Sequence, residues 1–521
     1  MEGVLMRSTE TVAKPGALPM RSVGFSESIR IGSIIRRIGF GSARRRATRV
    51  GLKSVRAEMV VEKKKSPPKK NLEKGTPIEL FVGLPLDSVT TTVNHPKAIS
   101  AGLRALKLLG IHGVELPIFW SIAQPDSSTQ FEWAGYLALA AMVRAAGLRL
   151  RVSLHLHASR RPNIALPSWV SRAAAVDPNI LFTDRSGQRH MDCLSFAVDE
   201  VPVLEGKTPI ECYKGFFHGF REAFAEFFGS TITEVSVSLG PNGELRYPSF
   251  PPTTTSTHPF TGVGEFQCYD KYMMSQLKRH ADESNNPLWG LSGPHDAPAY
   301  HQSPDSTDFF KNNGGKWETP YGDFFLSWYS KQLLNHGDRV LSVASKMFDE
   351  LPVQLSAKVP LLHWWHNTRS CPAELTAGFY NTDRRNGYDA VAELFARNSC
   401  TMVIAGMDSS ESPPLLSQIT RACEKHGVRI AGENSSLGGF GRIKENLMVE
   451  TLSVGSFTYQ RMGAEFFSPE HWPTFAEFVG SVKQTEMDSD DLVSTDNKDN
   501  GLSLPIGSAA PAGNDREMQA V

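Results

Sequence analysis

The feature that most constrains the fold is a repeated alternation of short apolar segments with amphipathic segments. Strand-like apolar runs lie at 78–84, 114–120, 148–157, 234–240, 353–359, 401–406 and 428–432. Apolar residues at helical spacing occupy 95–110, 134–146, 321–349, 388–398 and 415–426. Strands that alternate with helices over a long chain predict a parallel sheet whose strands are joined by right-handed crossovers.

Two α/β architectures could use this alternation: a doubly wound sheet and a closed barrel. The doubly wound sheets that bind nucleotides carry a G-x-G-x-x-G turn or a G-x-x-x-x-G-K-[S/T] loop, and neither pattern is complete in this chain. We therefore predict a single (β/α)8 barrel (TIM barrel) over residues 76–480. Long loops at 158–230 and 241–265 are expected to form a cleft at its C-terminal face, where barrels place their chemistry.

The charges are divided unequally along the chain. Residues 1–75 carry 18 basic and 6 acidic side chains, although the whole chain has 55 of each. Such an Arg- and Ser-rich, acid-poor start is typical of an organelle transit peptide, here followed by a basic linker. We predict a chloroplast (plastid stroma) protein, with a disordered acidic tail at 481–521.

Several classes of partner are disfavoured by composition. A nuclear or nucleic-acid-binding patch at the basic end is the competing interpretation, but no aromatic residues interleave with the charges and the remaining chain is acidic. No apolar run approaches the ~20 residues that span a bilayer. The six cysteines lack C-x-x-C spacing, so we expect reduced core thiols.

Polar residues near the ends of the predicted strands are candidates for chemistry. Glu244 follows the fourth strand on a Gly/Pro-rich loop, and Glu433 ends the seventh. Two carboxylates so placed could cleave a glycosidic bond, one protonating the leaving oxygen and the other activating water; a capping or ion-pair role is the alternative. His155 and His157 lack a nearby third ligand, so no metal site is predicted. Lys358 suits binding of hydroxyls or a carboxylate.

Several blocks of the sequence resemble the plant beta-amylases. These blocks are LGPNGELRYPSF, GEFQCYDKYM, FFLSWYS, LNHGDRVLSVA, KVPLLHWW, AELTAGFYN, GEN and FTYQRM. The resemblance covers roughly residues 77–480 and implies an exo-acting hydrolase that releases maltose from α-1,4-glucans (starch or maltodextrin) with inversion and without a cofactor. It implies that Glu244 is the proton donor and Glu433 the general base. The implied sugar-binding residues are His157, Lys358, His363, Asn434, Ser435 and Arg461.

Other segments depart from the family pattern. The Gly-rich lid with its Asp is replaced by HASRRPNIALPSW, the sugar-anchoring Asp of the second strand by Pro117, the inner-loop Thr by Ala405 or Gly406, and the segment after the base by ENSSLGGF. These departures resemble inactive plastid paralogues. We expect an impaired or inactive copy that regulates starch breakdown, with glucan or other starch-degrading enzymes as partners. The alternative is an active plastid exo-hydrolase with altered glucan specificity.

Overall fold

The computed structural model describes residues 77–251, 262–409, 413–448 and 453–491. The predicted transit peptide and basic linker at 1–75 lie outside these residues, as does the predicted acidic tail beyond 491. The strands, in chain order, are β1 (Glu79–Gly83), β2 (Gly113–Phe119), β3 (Arg149–His155), β4 (Leu181–Thr183), β5 (Arg189–Leu194), β6 (Ile232–Val237), β7 (Gln354–Pro360), β8 (Thr401–Ala405), β9 (Ile430–Glu433) and β10 (Val454–Tyr459).

Eight of these strands form a closed barrel in the order β1-β10-β9-β8-β7-β6-β3-β2, and every neighbouring pair is parallel. The remaining two, β4 and β5, form a separate antiparallel sheet. The predicted (β/α)8 barrel is therefore confirmed. Its eighth strand, β10, was not predicted, because Gly455 and Ser456 interrupt the apolar run of that segment.

Helices cover the outside of the barrel and occupy several of its connections. Within the described residues they are α1 (Pro96–Leu108), α2 (Trp120–Ala123), α3 (Ala134–Ala145), α4 (Ser168–Val176), α5 (Pro209–Ala223), α6 (Lys271–Glu283), α7 (Pro320–Phe348), α8 (Pro372–Ala377), α9 (Gly387–Arg397), α10 (Pro413–His426), α11 (Phe440–Leu447) and α12 (Trp472–Asp491). The last helix continues past residue 480, where the barrel was predicted to end. No described helix has both the length and the apolar character that crossing a bilayer requires.

The prediction of one long loop over 158–230 was wrong, because this connection contains α4, the β4–β5 sheet and α5. The start of α5 was detectable in the sequence: Thr208 and Glu211 form a capping box, with each side chain bonded to the other residue's backbone N–H. Phe216 and Phe220, four residues apart, bury one face of this helix.

The lower half of the barrel interior is polar as well as apolar. Arg151 on β3 lies 3.2 Å from Glu234 on β6, and both side chains are buried. Ser356 donates to Glu234 at 2.6 Å, while Arg151 also donates to Thr458 at 2.8 Å and lies over the Phe81 ring. A buried ion pair needs additional hydrogen bonds to its charged groups, and Ser356 and Thr458 supply two of them. Arg151 Nε is buried without a hydrogen-bond partner among the described residues. This layer of side chains lies beneath the residues nearer the C-terminal face of the barrel.

All six cysteines fall within the described residues, and each is a buried free thiol. The prediction that the cysteines lie in the core is confirmed.

Candidate active site

A cavity of about 620 Å³ opens at the C-terminal ends of the barrel strands. It brings together both predicted carboxylates and most of the predicted sugar-binding residues. Among the residues that line it are Glu244, Glu433, His157, Lys358, Asn434, Ser435 and Arg461. The remaining predicted residue, His363, lies in the loop after β7, where its Nδ1 is 3.3 Å from Ser409 Oγ.

Glu244 follows β6 on a rigid turn. The turn Pro241–Gly243 precedes it, and Leu245 N–H donates to the Lys358 carbonyl at 2.9 Å, which fixes the loop against β7. The carboxylate itself accepts a hydrogen bond from Arg246 Nε at 2.6 Å. This charge-assisted bond engages the group that would have to carry the leaving-group proton.

Glu433 is the last residue of β9 and is buried. Its carboxylate lies 2.7 and 2.9 Å from Nζ of Lys358, which projects from β7 into the same interior. Burial raises the pKa of Glu433; Lys358 opposes that shift, and the negative charge of Glu115 adds to it. The net direction is upward, so the site makes this carboxylate harder to ionise than a free glutamate.

Glu115 is a third carboxylate in the same cluster, and it was not predicted from the sequence. It lies on β2 with 5% of its surface exposed, and its Oε1 is 3.6 Å from Lys358 Nζ. Ser153 and Gln460 also donate hydrogen bonds to it. Because alternate residues of a strand share a face, Glu115 lies one step deeper in the barrel than Pro117. The signal was a charged residue inside the apolar run VELPIF.

The pKa of Glu115 shifts in the opposite direction to that of Glu433. Burial alone would raise it, but the cations Lys358 and Arg461, with the two hydrogen bonds, lower it to about 2. Lys358 is shared between Glu115, whose pKa is lowered, and Glu433, whose pKa is raised.

Two histidines form a neutral polar wall of the cavity. His157 Nδ1 lies 2.9 Å from Ser238 Oγ, and His155 Nδ1 lies 3.3 Å from His157 Nε2. Burial, reinforced by the nearby Lys358 charge, lowers the pKa of His157 to about 3 and that of His155 well below its usual value. Phe119 stacks on His155 with the ring centroids 4.6 Å apart. Uncharged imidazoles beside an aromatic ring can bind sugar hydroxyls and a sugar face.

Comparison with known proteins identifies the family. Residues 81–487 match the description of glycosyl hydrolase family 14. The chain belongs to this family. It is 51% identical to "Inactive beta-amylase 9" of Arabidopsis thaliana over 485 residues, which cover 89% of this chain and 90% of that protein. It is 38% identical to "Beta-amylase 1, chloroplastic" of the same plant, over 78% of this chain and 76% of that one.

A solved structure of the family has the same fold. The catalytic domain of beta-amylase from Paenibacillus polymyxa superposes with a TM-score of 0.64 at 25% identity, over 78% of this chain and 99% of that domain. The beta-amylase resemblance drawn from the sequence blocks is thus confirmed, and the scaffold is that of a family 14 glycoside hydrolase.

The loop after β3, where the family pattern has a Gly-rich lid that this sequence lacks, is a short turn bonded to the β4–β5 sheet. Ser159 and Ile164 exchange backbone hydrogen bonds at 2.7 and 2.8 Å. Ala158 N–H donates to the Asp192 carbonyl at 2.7 Å, and the Arg160 guanidinium lies 2.6 Å from the Asp192 carboxylate. These contacts connect the loop to the β4–β5 sheet at the cavity edge.

Of the two point departures noted in the sequence, one lines the cavity and the other is buried in a barrel strand. Pro117 is buried in β2, on the face that carries Glu115 and Phe119. Ala405, at the end of β8, lines the cavity. Neither side chain offers a hydrogen-bonding group to a ligand.

The segment that follows Glu433 is hydrogen-bonded to two neighbouring segments. The side-chain amide of Asn434 forms two hydrogen bonds with the Gln460 backbone. Asn434 Oδ1 accepts from the Gln460 N–H at 2.7 Å, and Asn434 Nδ2 donates to the Gln460 carbonyl at 2.8 Å. Asp408, in the loop after β8, accepts from the backbone N–H groups of Ser435 and Ser436 at 2.7 and 2.9 Å, and from both hydroxyls. Asp408 was not predicted from the sequence. It clamps this segment to the neighbouring loop.

Proposed function

We propose that this chain is a plastid family 14 homologue that binds α-1,4-glucan, releases maltose very slowly or not at all, and acts in the regulation of starch breakdown. The observation that carries the proposal is the position of Lys358. Its ammonium group is divided between Glu433, the proposed base, and the buried Glu115. The proposed donor, Glu244, is itself bound to Arg246.

The substitutions around the cavity support the same function. An Asp that binds sugar hydroxyls contributes ~1.5–3 kcal/mol per charged hydrogen bond, and Pro117 contributes none. Two such contacts are lost, the one replaced by Pro117 and the one from the Asp of the missing lid. Their loss corresponds to a fall in turnover of ~10²–10⁴, at ~1.4 kcal/mol per factor of ten. A relative of 51% identity bears the name inactive beta-amylase, in accord with this proposal.

The proposed ligand is supported by the cavity lining, and the proposed compartment by the names of relatives. His157, Lys358 and Arg461 line a cavity whose neutral His pair suits uncharged sugar hydroxyls, and we assign it a maltodextrin or starch chain end. The plastid is proposed because several relatives are named chloroplastic and the chain starts with an Arg-rich segment. A regulator could act through the glucan itself or by contact with another starch-degrading enzyme.

The proposal is tested by measuring maltose release from soluble starch and maltopentaose. The full chain and its Glu244→Gln variant are assayed beside the chloroplastic beta-amylase 1 of Arabidopsis. We expect the wild type to release maltose at least 100-fold more slowly than that enzyme and no faster than its own variant. Calorimetry with maltotetraose should nevertheless detect binding. Release within tenfold of the reference enzyme would contradict the proposal.

A second function, that of an active exo-hydrolase with altered glucan preference, is favoured by one observation: both Glu244 and Glu433 survive and line the same cavity. It requires turnover of some glucan that either Glu→Gln substitution abolishes. Equal slow release by the wild type and both variants across linear, branched and short glucans would exclude it.

A further inference from the structure

A cluster of three metal-ligand side chains lies outside the active-site cavity, in the segment that joins β7 to α9. His366, Cys371 and Glu374 each direct one ligand atom toward the others, and these atoms all lie within 4.8 Å of one another. His366 Nδ1 is 2.9 Å from Glu374 Oε2. Imidazole nitrogen, thiolate sulfur and carboxylate oxygen are the three donor types that Zn²⁺ takes in proteins.

The spacing fits a small cation. Zn²⁺ binds nitrogen and oxygen at ~2.0–2.2 Å and sulfur at ~2.3 Å, so that ligand atoms around a tetrahedral ion lie about 3.3–3.8 Å apart. The three donor atoms therefore need to move only slightly from their present positions. Two of them, on Cys371 and Glu374, are held at the start of α8, and the third is supplied by the turn just before it.

The Glu374 carboxylate is oriented as a ligand would be. It is fully buried, and its Oε1 accepts hydrogen bonds from Asn381 Nδ2 at 3.0 Å and from the Tyr388 hydroxyl at 2.9 Å. These two donors occupy one oxygen and leave Oε2 facing His366. Outer hydrogen bonds that fix a ligand's orientation are a regular part of protein metal sites.

The cluster also has room for solvent. A cavity of about 290 Å³ is lined by His366, Cys371 and Asn381 together with Asp383 and Gln418. None of these residues lines the active-site cavity. A three-ligand Zn²⁺ site keeps one position for water or another ligand, and this opening provides both that position and an entry path.

We propose that His366, Cys371 and Glu374 bind Zn²⁺, with a solvent molecule as the fourth ligand. Binding replaces the thiol proton of Cys371, which is released to solvent as the Zn–S bond forms. The ion would join the turn after β7, the strand that carries Lys358, to the first turn of α8.

The test uses the full chain, freed of metal with a chelator and titrated with Co²⁺ as a spectroscopic substitute. We expect one equivalent to bind and to produce a thiolate-to-Co²⁺ charge-transfer band in the near ultraviolet, which one equivalent of Zn²⁺ then removes. Cys371→Ser should abolish the band, and His366→Gln should weaken Zn²⁺ binding at least tenfold in competition with a chelating dye. Cys423→Ser, a matched change at a buried thiol of α10, should leave both unchanged.

A variant outside the ligand set keeps the result independent of misfolding. Tyr388→Phe removes one hydrogen bond to Glu374 and should lower Zn²⁺ affinity about tenfold, with unchanged circular dichroism. Zn²⁺ should also raise the melting temperature of the wild type but not of the Cys371→Ser variant. No charge-transfer band in the wild type, or the same Co²⁺ stoichiometry and band in Cys371→Ser, would overturn the proposal.

Discussion

Replacing Glu115 with Gln removes the firmly ionised carboxylate beneath the active-site cavity and should destabilise the fold measurably. The folded protein lowers the pKa of Glu115 from 4.5 to about 2. At 1.36 kcal/mol per pKa unit, a shift of about 2.5 units corresponds to about 3 kcal/mol of stability. The substitution recovers part of this stability, because it removes the negative charge of Glu115, which raises the pKa of Glu433. We expect Glu115→Gln to lower the free energy of unfolding by about 2–3 kcal/mol at pH 7.

The difference in free energy of unfolding between the wild type and Glu115→Gln should depend on pH with a fixed sign. A carboxylate whose folded pKa is depressed stabilises the protein above its unfolded pKa, and that stability is lost as pH falls toward its folded pKa. The difference in free energy of unfolding between the wild type and Glu115→Gln should therefore be constant from pH 8 down to about pH 5.5. It should narrow below about pH 4.5, the region between the two pKa values of Glu115.

Urea unfolding followed by tryptophan fluorescence, at several pH values, measures this gap. The matched control is Glu79→Gln, because Glu79 also forms an ion pair from a barrel strand, with Arg149 at 2.8 Å, but with side chains 41% and 36% exposed. Such a pair contributes ~0–1 kcal/mol. Equal losses in the two variants, or a Glu115→Gln gap that widens as the pH falls from 5 to 3.5, would refute the electrostatic argument.

Two further changes probe the charge cluster and the segment after β9. Lys358→Met leaves Glu115 and Glu433 close together without their shared cation. We expect the free energy of unfolding at pH 7 to fall by about 3–5 kcal/mol in the same urea assay. An unchanged midpoint would show that other groups compensate the two charges. Asp408→Ala removes the hydrogen-bond acceptor for Ser435 and its neighbour. Losing about 1.4 kcal/mol of local stability should make amide hydrogen exchange in the segment after β9 about tenfold faster. Unchanged exchange would show that Asp408 does not stabilise this segment.

Most of the fold could be predicted because each element leaves a local pattern. The apolar run at 401–406 and the helical spacing at 388–398 match β8 and α9 within one residue. The strand β10 could not be found in this way, since Gly455 and Ser456 break its run and its identity as a strand depends on pairing with β1 and β9. Closure of a barrel is a property of the whole sheet and not of the segment that completes it.

The candidate site was predictable where its residues stand at strand ends and unpredictable where they act through distant partners. Glu433 follows an apolar run directly, so its position at the cavity was expected. Glu115 owes its importance to Ser153, 38 residues away, and to Gln460, 345 residues away. The clamp by Asp408 likewise joins two loops that follow different strands. A single sequence shows which side chains are polar, but the sheet decides which of them meet.

The arrangement of charges gives the proposed loss of turnover a physical basis that does not need a missing catalytic residue. An inverting glycosidase requires one carboxylic acid that holds a proton and one carboxylate that is ionised. In this cavity Arg246 binds Glu244 as a charged partner, while the ionised Glu115 takes part of the Lys358 charge and raises the pKa of Glu433. The environment of Glu433 therefore opposes the ionisation that a general base at this position would require, although both glutamates are retained.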